Sequence, residues 1–134
     1  MDEEMKKILL VDDDIDLIQQ YKPVLEHAGY QVSAAFTAGE GFELFTTFQP
    51  DAVIVDLAME HFDSGFQLCN KIKKTPKGQQ TPVIIMTSAA HETGIRLGAD
   101  TAEERRWIRA DDYLEKPISA RDLLQYLAEK VFKE

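Results

Sequence analysis

The sequence predicts a doubly wound α/β fold, in which helices cover both faces of a five-stranded parallel sheet. Short apolar runs alternate along the chain with longer amphipathic stretches, the pattern of repeated strand–helix units. The runs at residues 8–11, 52–55 and 83–86 are continuously apolar, as expected of strands buried on both faces. Acidic and hydroxyl residues follow these runs directly, at the edge where open α/β sheets bind ligands.

Composition limits the classes of function. A chain of 134 residues fits one domain spanning residues 1–134. The formal net charge of −9, with no basic stripe, argues against direct binding of nucleic acid. Cys69 is the only cysteine, which excludes an internal disulfide and favours a reducing, cytoplasmic compartment. The N-terminal residues match neither a signal peptide nor a membrane-spanning helix, so no membrane association is expected.

Five segments are predicted as strands because they are short, apolar and bounded by turn formers or charged residues. They are residues 8–11, 30–36, 52–55, 83–86 and 112–114.

Five segments with apolar residues at helical spacing are predicted as helices, namely residues 15–28, 39–48, 66–74, 101–108 and 121–132. Asp14 and Ser119 are suited to cap the first and last helices, and Gly29 to end the first. Pro23 is expected to bend the first helix. Residues 101–104 form a capping-box pattern. Between the elements, residues 57–65 are expected to form a loop and residues 75–78 a turn.

Right-handed crossovers leave few arrangements for such a chain, and we expect the flavodoxin-like (βα)5 strand order 2-1-3-4-5. In that order the first and third strands are neighbours. Asp12 and Asp13 follow the first strand and Asp56 ends the third, so these three carboxylates should meet in one crevice. Thr87 and Lys116, at the ends of the fourth and fifth strands, should lie at the same edge.

Three carboxylates in one crevice raise one another's pKa unless a cation compensates their charge. Mg²⁺ is a hard dication that binds one or two carboxylates together with water and phosphate oxygens. Lys116 can supply a positive charge and Thr87 a hydroxyl donor to phosphate oxygens. The pattern therefore predicts a phosphoryl-transfer site with Asp56 as the nucleophile that forms an acyl phosphate.

Four motifs, each at a strand end, resemble the receiver domain of bacterial two-component response regulators, the CheY-like family. They are ILLVDDD at residues 8–14, DLAM at 56–59, MTS at 86–88 and DYLEKP at 112–117. The resemblance covers essentially the whole chain. It implies a cytoplasmic phosphoprotein that receives a phosphoryl group on Asp56 from a sensor histidine kinase or a histidine phosphotransfer protein. It also implies no turnover activity beyond self-phosphorylation and autodephosphorylation.

The resemblance further implies a role for each site residue. Asp13 and Asp56 would bind Mg²⁺ directly, Asp12 largely through water, and Ala58 through its backbone carbonyl. Thr87 would move towards the phosphoryl group, with Ser88 at the neighbouring small-residue position. Tyr113 would change rotamer with Thr87, and the Lys116–Pro117 peptide bond would be cis. The face made by the fourth predicted helix, the fifth strand and the fifth helix would change its affinity for an output partner, and dimerisation through that face is left open.

The sequence departs from the family pattern in three places. Glu60 replaces the proline usual in the loop after the phosphoacceptor, and the spacing to Gly65 is shifted by one residue. The segment between Thr87 and Lys116 is longer than usual by about seven residues, an insertion that a surface loop tolerates. It contains Trp107, which either anchors an extra helical turn or contacts a partner. The given sequence has no effector domain after residues 132–134, so we expect either a single-domain protein or a piece of a larger one.

The sequence also bears on two other classes of function. A receiver fold that binds partners without being phosphorylated is kept open by the altered loop at Glu60. An aspartyl-nucleophile phosphatase of the haloacid-dehalogenase type would need a second acid two residues after Asp56, where this chain has Ala58. The glycine-rich motifs of nucleotide-binding enzymes are absent from the sequence.

Overall fold

The computed structural model describes residues 5–57, 59, 64–87 and 110–132. It contains one parallel sheet of five strands in the predicted order β2-β1-β3-β4-β5. The strands are β1 Lys7–Val11, β2 Gln31–Ala35, β3 Ala52–Asp56, β4 Val83–Thr87 and β5 Asp112–Glu115.

The central strands are buried because helices cover both faces of the sheet. Two apolar clusters result, one on each face. One is centred on Leu9, Val53 and Ile85 and includes residues of α2 Ala38–Phe48 and α3 Ser64–Lys73. The other is centred on Leu10 and Ile54 and includes residues of α1 Ile15–His27 and α5 Ala120–Tyr126. The alternation of side chains along each strand divides the apolar residues between the two faces.

Capping residues fix where the helices begin. The Asp14 carboxylate accepts a hydrogen bond from the Leu17 N–H at 3.2 Å, and the Ser119 hydroxyl accepts one from the Asp122 N–H at 3.0 Å. Both caps were predicted. Helix α1 continues through Pro23 as one element.

One expectation about the helices was wrong. Residues 75–78 were predicted to form a turn, but residues 76–80 form a short helix, α4 Pro76–Gln80. Pro76 is its first residue, and the Thr75 hydroxyl caps it by accepting a hydrogen bond from the Gly78 N–H at 2.9 Å. The predicted helix at residues 121–132 is confirmed, as α5 followed directly by a π-helical turn at Leu127–Val131. The predicted helix at residues 101–108 and Trp107 lie outside the described residues. Within the described ranges, we find no helix with the length and apolar character to cross a membrane.

Candidate functional site

Three aspartates converge at the carboxyl edge of the sheet. Asp12 follows β1 and Asp56 is the last residue of β3, and the pairing of Val11 with Val55 makes these two positions neighbours. One carboxylate oxygen from each of Asp12, Asp13 and Asp56 lies within 4.8 Å of the others. Asp12 is only 5% exposed, whereas Asp13 is open to solvent. The sheet order thus brings the three predicted acids into one site.

Lys116 reaches this acidic cluster from the end of β5. Its Nζ lies 3.1 Å from Asp12 Oδ2 and 3.1 Å from Asp56 Oδ1. Its backbone N–H donates to the Thr87 carbonyl at 2.9 Å, so the lysine is held to the end of β4 as well. The Lys116–Pro117 peptide bond is cis, as expected.

The electrostatics of the site follow from burial and crowding. Burial, with a further contribution from Asp12, raises the pKa of Asp56 to about 6. Burial also raises the pKa of Asp12, although Asp14 and Lys116 oppose the change. For Lys116, burial favours a lower pKa, but the attraction of Asp56 and Asp12 outweighs it and the pKa is raised. Among the described residues, the Lys116 ammonium therefore faces a cluster of three carboxyl groups, and burial makes ionisation of Asp12 and Asp56 costly.

These residues fit a divalent cation. All three offer carboxylate oxygens, the ligand type that Mg²⁺ prefers. Burial raises the pKa of Asp12 and of Asp56, so ionising these two carboxyl groups is costly, and a bound cation would reduce that cost. The Asp14 N–H donates to Asp12 Oδ1 at 3.0 Å and orients that carboxylate. The Asp14 carboxylate caps α1, as predicted, and is not one of the three carboxylates of the cluster.

The predicted switch residues lie on the neighbouring strands. Thr87 is the last residue of β4, one position beyond Met86, which pairs with Asp56. Tyr113, on β5, packs against the core cluster on the α2–α3 face, and its hydroxyl oxygen is shielded from solvent. Two further predicted residues, Ala58 and Ser88, lie outside the described residues.

Tyr21 supports the site, although nothing in the sequence indicates this role. It lies within the predicted first helix, residues 15–28, among residues at helical spacing. Its hydroxyl donates to the Ile118 carbonyl at 2.8 Å, two residues after Lys116, and so ties α1 to the loop that carries the lysine. Burial raises the pKa of Tyr21 to about 12. A buried tyrosine hydroxyl usually has a hydrogen-bond partner. The partner of Tyr21 is 97 positions away in the sequence, so the sequence alone does not identify it.

Comparison with known sequences supports the resemblance. Residues 8–128 match the family model described as the response regulator receiver domain. The chain is 31% identical over 118 residues to the response regulator MprA of Mycolicibacterium vanbaalenii, which covers 88% of this chain and 47% of that protein. It is 31% identical over 120 residues to the DNA-binding dual master transcriptional regulator RpaA of Synechocystis, covering 90% and 46% respectively. The chain thus spans about half the length of these relatives.

Solved structures give the same result. The chemotaxis response regulator CheY4 of Vibrio cholerae superposes with a TM-score of 0.76 at 25% identity, covering 92% of this chain and 97% of that one. A CheY-like response regulator receiver domain protein from Methanospirillum hungatei gives a TM-score of 0.76 at 29% identity, covering 95% and 94%.

Proposed function

The chain belongs to the response-regulator receiver family, and from that premise we propose that it is a phosphoacceptor switch whose Asp56 takes up a phosphoryl group in the presence of Mg²⁺. Receiver domains bind Mg²⁺ at an acidic pocket and, as a family, are generally not turnover enzymes. The observation that supports the proposal most directly is the position of the Lys116 ammonium, 3.1 Å from both Asp12 and Asp56, beside the exposed Asp13.

The chemistry needs a carboxylate nucleophile and compensation of charge. An Asp56 carboxylate oxygen attacks phosphorus while the phosphorus–nitrogen bond of a donor phosphohistidine breaks, and the released imidazole nitrogen takes up a proton from solvent. The raised pKa of Asp56 makes its carboxylate more basic than an ordinary aspartate. The Lys116 ammonium can form an ion pair with a phosphoryl oxygen on Asp56, because it already lies beside the Asp56 carboxylate.

Asp12, Asp13 and Asp56 are the residues that would hold Mg²⁺, with the Ala58 carbonyl as the further ligand expected from the family. When bound there, Mg²⁺ would supply positive charge to neutralise the phosphoryl oxygens. Its loss should therefore prevent transfer while leaving the fold intact.

Response regulators interact with histidine kinases and with output partners. For this chain we propose a phosphohistidine donor and a readout in which Thr87 and Tyr113 couple the phosphoryl group to β5 and α5. A relative such as RpaA is DNA-binding, but this chain matches only about half of that protein. The acidic composition of the chain, with a net charge of −9, favours a protein partner with a basic face over nucleic acid.

Phosphorylation by a small donor tests the proposal. The protein is incubated with Mg²⁺ and acetyl phosphate, and intact mass is measured before and after mild base. We expect one base-labile phosphoryl adduct, absent from Asp56→Asn and absent in EDTA. Asp51→Asn is the matched control, since Asp51 precedes the opposite end of the same strand, and it should keep the adduct.

Two other outcomes would contradict the proposal. If the wild-type protein acquires no adduct, a phosphorylation-independent interaction module is favoured. If it releases phosphate from a phosphoester such as p-nitrophenyl phosphate through many turnovers, a hydrolase is favoured.

A further inference from the structure

Two aspartates form the same backbone clamp at the amino-terminal edge of the sheet, opposite the acidic cluster. Asp51 precedes β3: its N–H donates to the Lys7 carbonyl at 2.7 Å, and its Oδ2 accepts from the Lys7 N–H at 2.8 Å. Asp111 precedes β5: its N–H donates to the Val83 carbonyl at 2.8 Å, and its Oδ2 accepts from the Val83 N–H at 2.7 Å. Each aspartate thus joins the start of its own strand to the first residue of the neighbouring strand.

The Asp111 clamp is also tied to helix α3. Lys73 Nζ lies 2.7 Å from Asp111 Oδ2 and donates to the Thr81 carbonyl at 2.7 Å. The Lys73 side chain is only 9% exposed, whereas that of Asp111 is 48% exposed. Burying an ammonium is costly unless oxygen partners compensate its charge, and Asp111 and the Thr81 carbonyl are such partners for Lys73. The pair therefore holds Asp111 at the start of β4.

The register of strand β5 against β4 depends on such a contact. It has four residues, lies at the edge of the sheet, and follows a connection that begins at residue 88. A connection of that length does little to set the pairing of β4 with β5. A slip of one residue would move every β5 side chain by about 3.3 Å and reverse the face it occupies.

The other end of the same ladder carries Lys116. The pairing runs from Ile84 with Asp112 to Thr87 with Glu115, and the next bond joins the Lys116 N–H to the Thr87 carbonyl. The clamp therefore lies at one end of the β4–β5 ladder, and the lysine that contacts Asp12 and Asp56 lies at the other.

We propose that Asp111, clamped to Val83 and paired with Lys73, is a positioning residue that sets the register of β5 and thereby places the Lys116 ammonium in the acidic cluster. Asp111 does not touch the reacting groups and acts through the ladder. Its effect on phosphorylation depends on the proposed function, but its effect on register does not.

A double-mutant cycle in the full chain tests the effect on phosphorylation. We expect Asp111→Ala to slow phosphorylation by acetyl phosphate by about tenfold at saturating Mg²⁺, since small misplacements of a catalytic group are costly. Its affinity for Mg²⁺ should not weaken, because the three aspartates stay in place. In a Lys116→Met background, Asp111→Ala should change the rate by less than about twofold, because the two substitutions then disturb the same interaction. An equal slowing in both backgrounds would overturn the proposal.

Matched variants separate positioning from general destabilisation. Asp51→Ala removes the same clamp between β1 and β3. These strands are each paired on both sides and keep their register without it, so the rate of the folded protein should stay within about twofold of wild type. Asp111→Asn keeps an oxygen acceptor for the Val83 N–H and should recover most of the rate if Asp111→Ala folds poorly. A rate for Asp111→Asn as low as that of a well-folded Asp111→Ala would contradict a role for the clamp.

Hydrogen exchange tests the register of β5 independently of phosphorylation. In Asp111→Ala the Lys116 amide should lose about tenfold of its protection, while the amides of β1 and β3 keep theirs. Unchanged protection at Lys116 would overturn the proposal. If wild-type protein took no phosphoryl group but Lys116 lost protection in Asp111→Ala, the proposed function would fail and the positioning role would stand.

Discussion

The Lys116 ammonium lies 3.1 Å from Asp56 Oδ1 and at the same distance from Asp12 Oδ2, so one cation bridges two strands of the sheet. The arrangement places a positive charge where the acyl phosphate would form. It also places that charge beside the carboxylates that would bind Mg²⁺. Lys116 should therefore promote phosphoryl transfer and oppose binding of the metal.

Replacing Lys116 by methionine should separate these two effects. Without the ammonium, Mg²⁺ should bind about three- to tenfold more tightly, because the repulsion between two nearby cations is removed. Phosphorylation of Asp56 should slow by about 100-fold, because charge on the phosphoryl oxygens loses its partner. Calorimetric titration measures the affinity for Mg²⁺, and intact mass followed over time measures the rate of phosphorylation.

Lys22→Met is the control for this prediction, since Lys22 lies on the exposed face of α1 in a surface pair with Glu26. Both measurements should stay close to wild type in that variant. Weaker binding of Mg²⁺ by Lys116→Met would contradict the assignment of Lys116 as a competing cation.

The stability of the metal-free protein should depend on pH through Asp56. Its pKa is raised from 3.8 to about 6, so the folded protein binds a proton there more tightly than the unfolded chain does. That contribution to stability is fully present below about pH 4 and is lost as the pH rises through about 6. Asp56→Asn carries no charge at this position. Its free energy of unfolding should therefore exceed that of wild type by about 2 kcal/mol at pH 8 and equal it near pH 4.

Urea denaturation in EDTA at several pH values measures this difference. Adding Mg²⁺ at pH 8 should stabilise wild type more than Asp56→Asn, because the substitution removes a ligand. A difference between the two proteins that does not vary with pH would show that burial of the Asp56 charge is not its cause.

The sequence predicted the sheet and the acidic cluster because both depend on local patterns. Continuous apolar runs indicated β1, β3 and β4, and the strand order then brought Asp12 and Asp56 together. Helix α4 is not predicted from the sequence because Pro76 and Gly78 are typical turn formers, although Thr75 and Pro76 also form a good helix start.

The supporting contacts could not be predicted for a different reason. Tyr21 and Ile118 are 97 positions apart, and Asp111 and Val83 are 28 apart. Such bonds exist only once the helices and strands have packed, and nothing in the local sequence distinguishes Tyr21 from an ordinary core residue. Asp111 likewise cannot be distinguished in the sequence from its neighbour Asp112, and both are exposed in the structure.

Tyr21→Phe tests whether the bond to Ile118 supports the loop that carries Lys116. Removing the hydroxyl should cost about 1 kcal/mol, since the Ile118 carbonyl loses its donor while the ring still packs. Phosphorylation of Asp56 should slow by a few-fold, about the effect of a modest misplacement of Lys116. Tyr126→Phe, which removes a hydroxyl bound to Asp112 at 2.6 Å near the opposite end of β5, is the matched control. Equal slowing in both variants would contradict a specific role for Tyr21.

Gly65→Ala tests the packing of α3 against the loop that follows Asp56. A Cβ at position 65 would lie 2.5 Å from the Asp56 carbonyl oxygen and 2.6 Å from the Leu57 Cα, both backbone atoms that cannot rotate away. The Gly65 N–H also donates to the Leu57 carbonyl at 2.6 Å, so the start of α3 and the end of β3 are held together. The added methyl group should cost about 2 kcal/mol and displace the backbone of Asp56.

The matched substitution is Gly39→Ala, in the first turn of α2. Its new Cβ would have the Thr37 hydroxyl oxygen, at 4.0 Å, as its nearest neighbour, so alanine should leave stability unchanged or raise it by up to about 1 kcal/mol. Denaturation midpoints and the rate of phosphorylation should therefore both fall in Gly65→Ala and hold in Gly39→Ala. If Gly65→Ala kept the wild-type rate at full stability, the close approach of α3 to Asp56 would not be needed to position the phosphoacceptor.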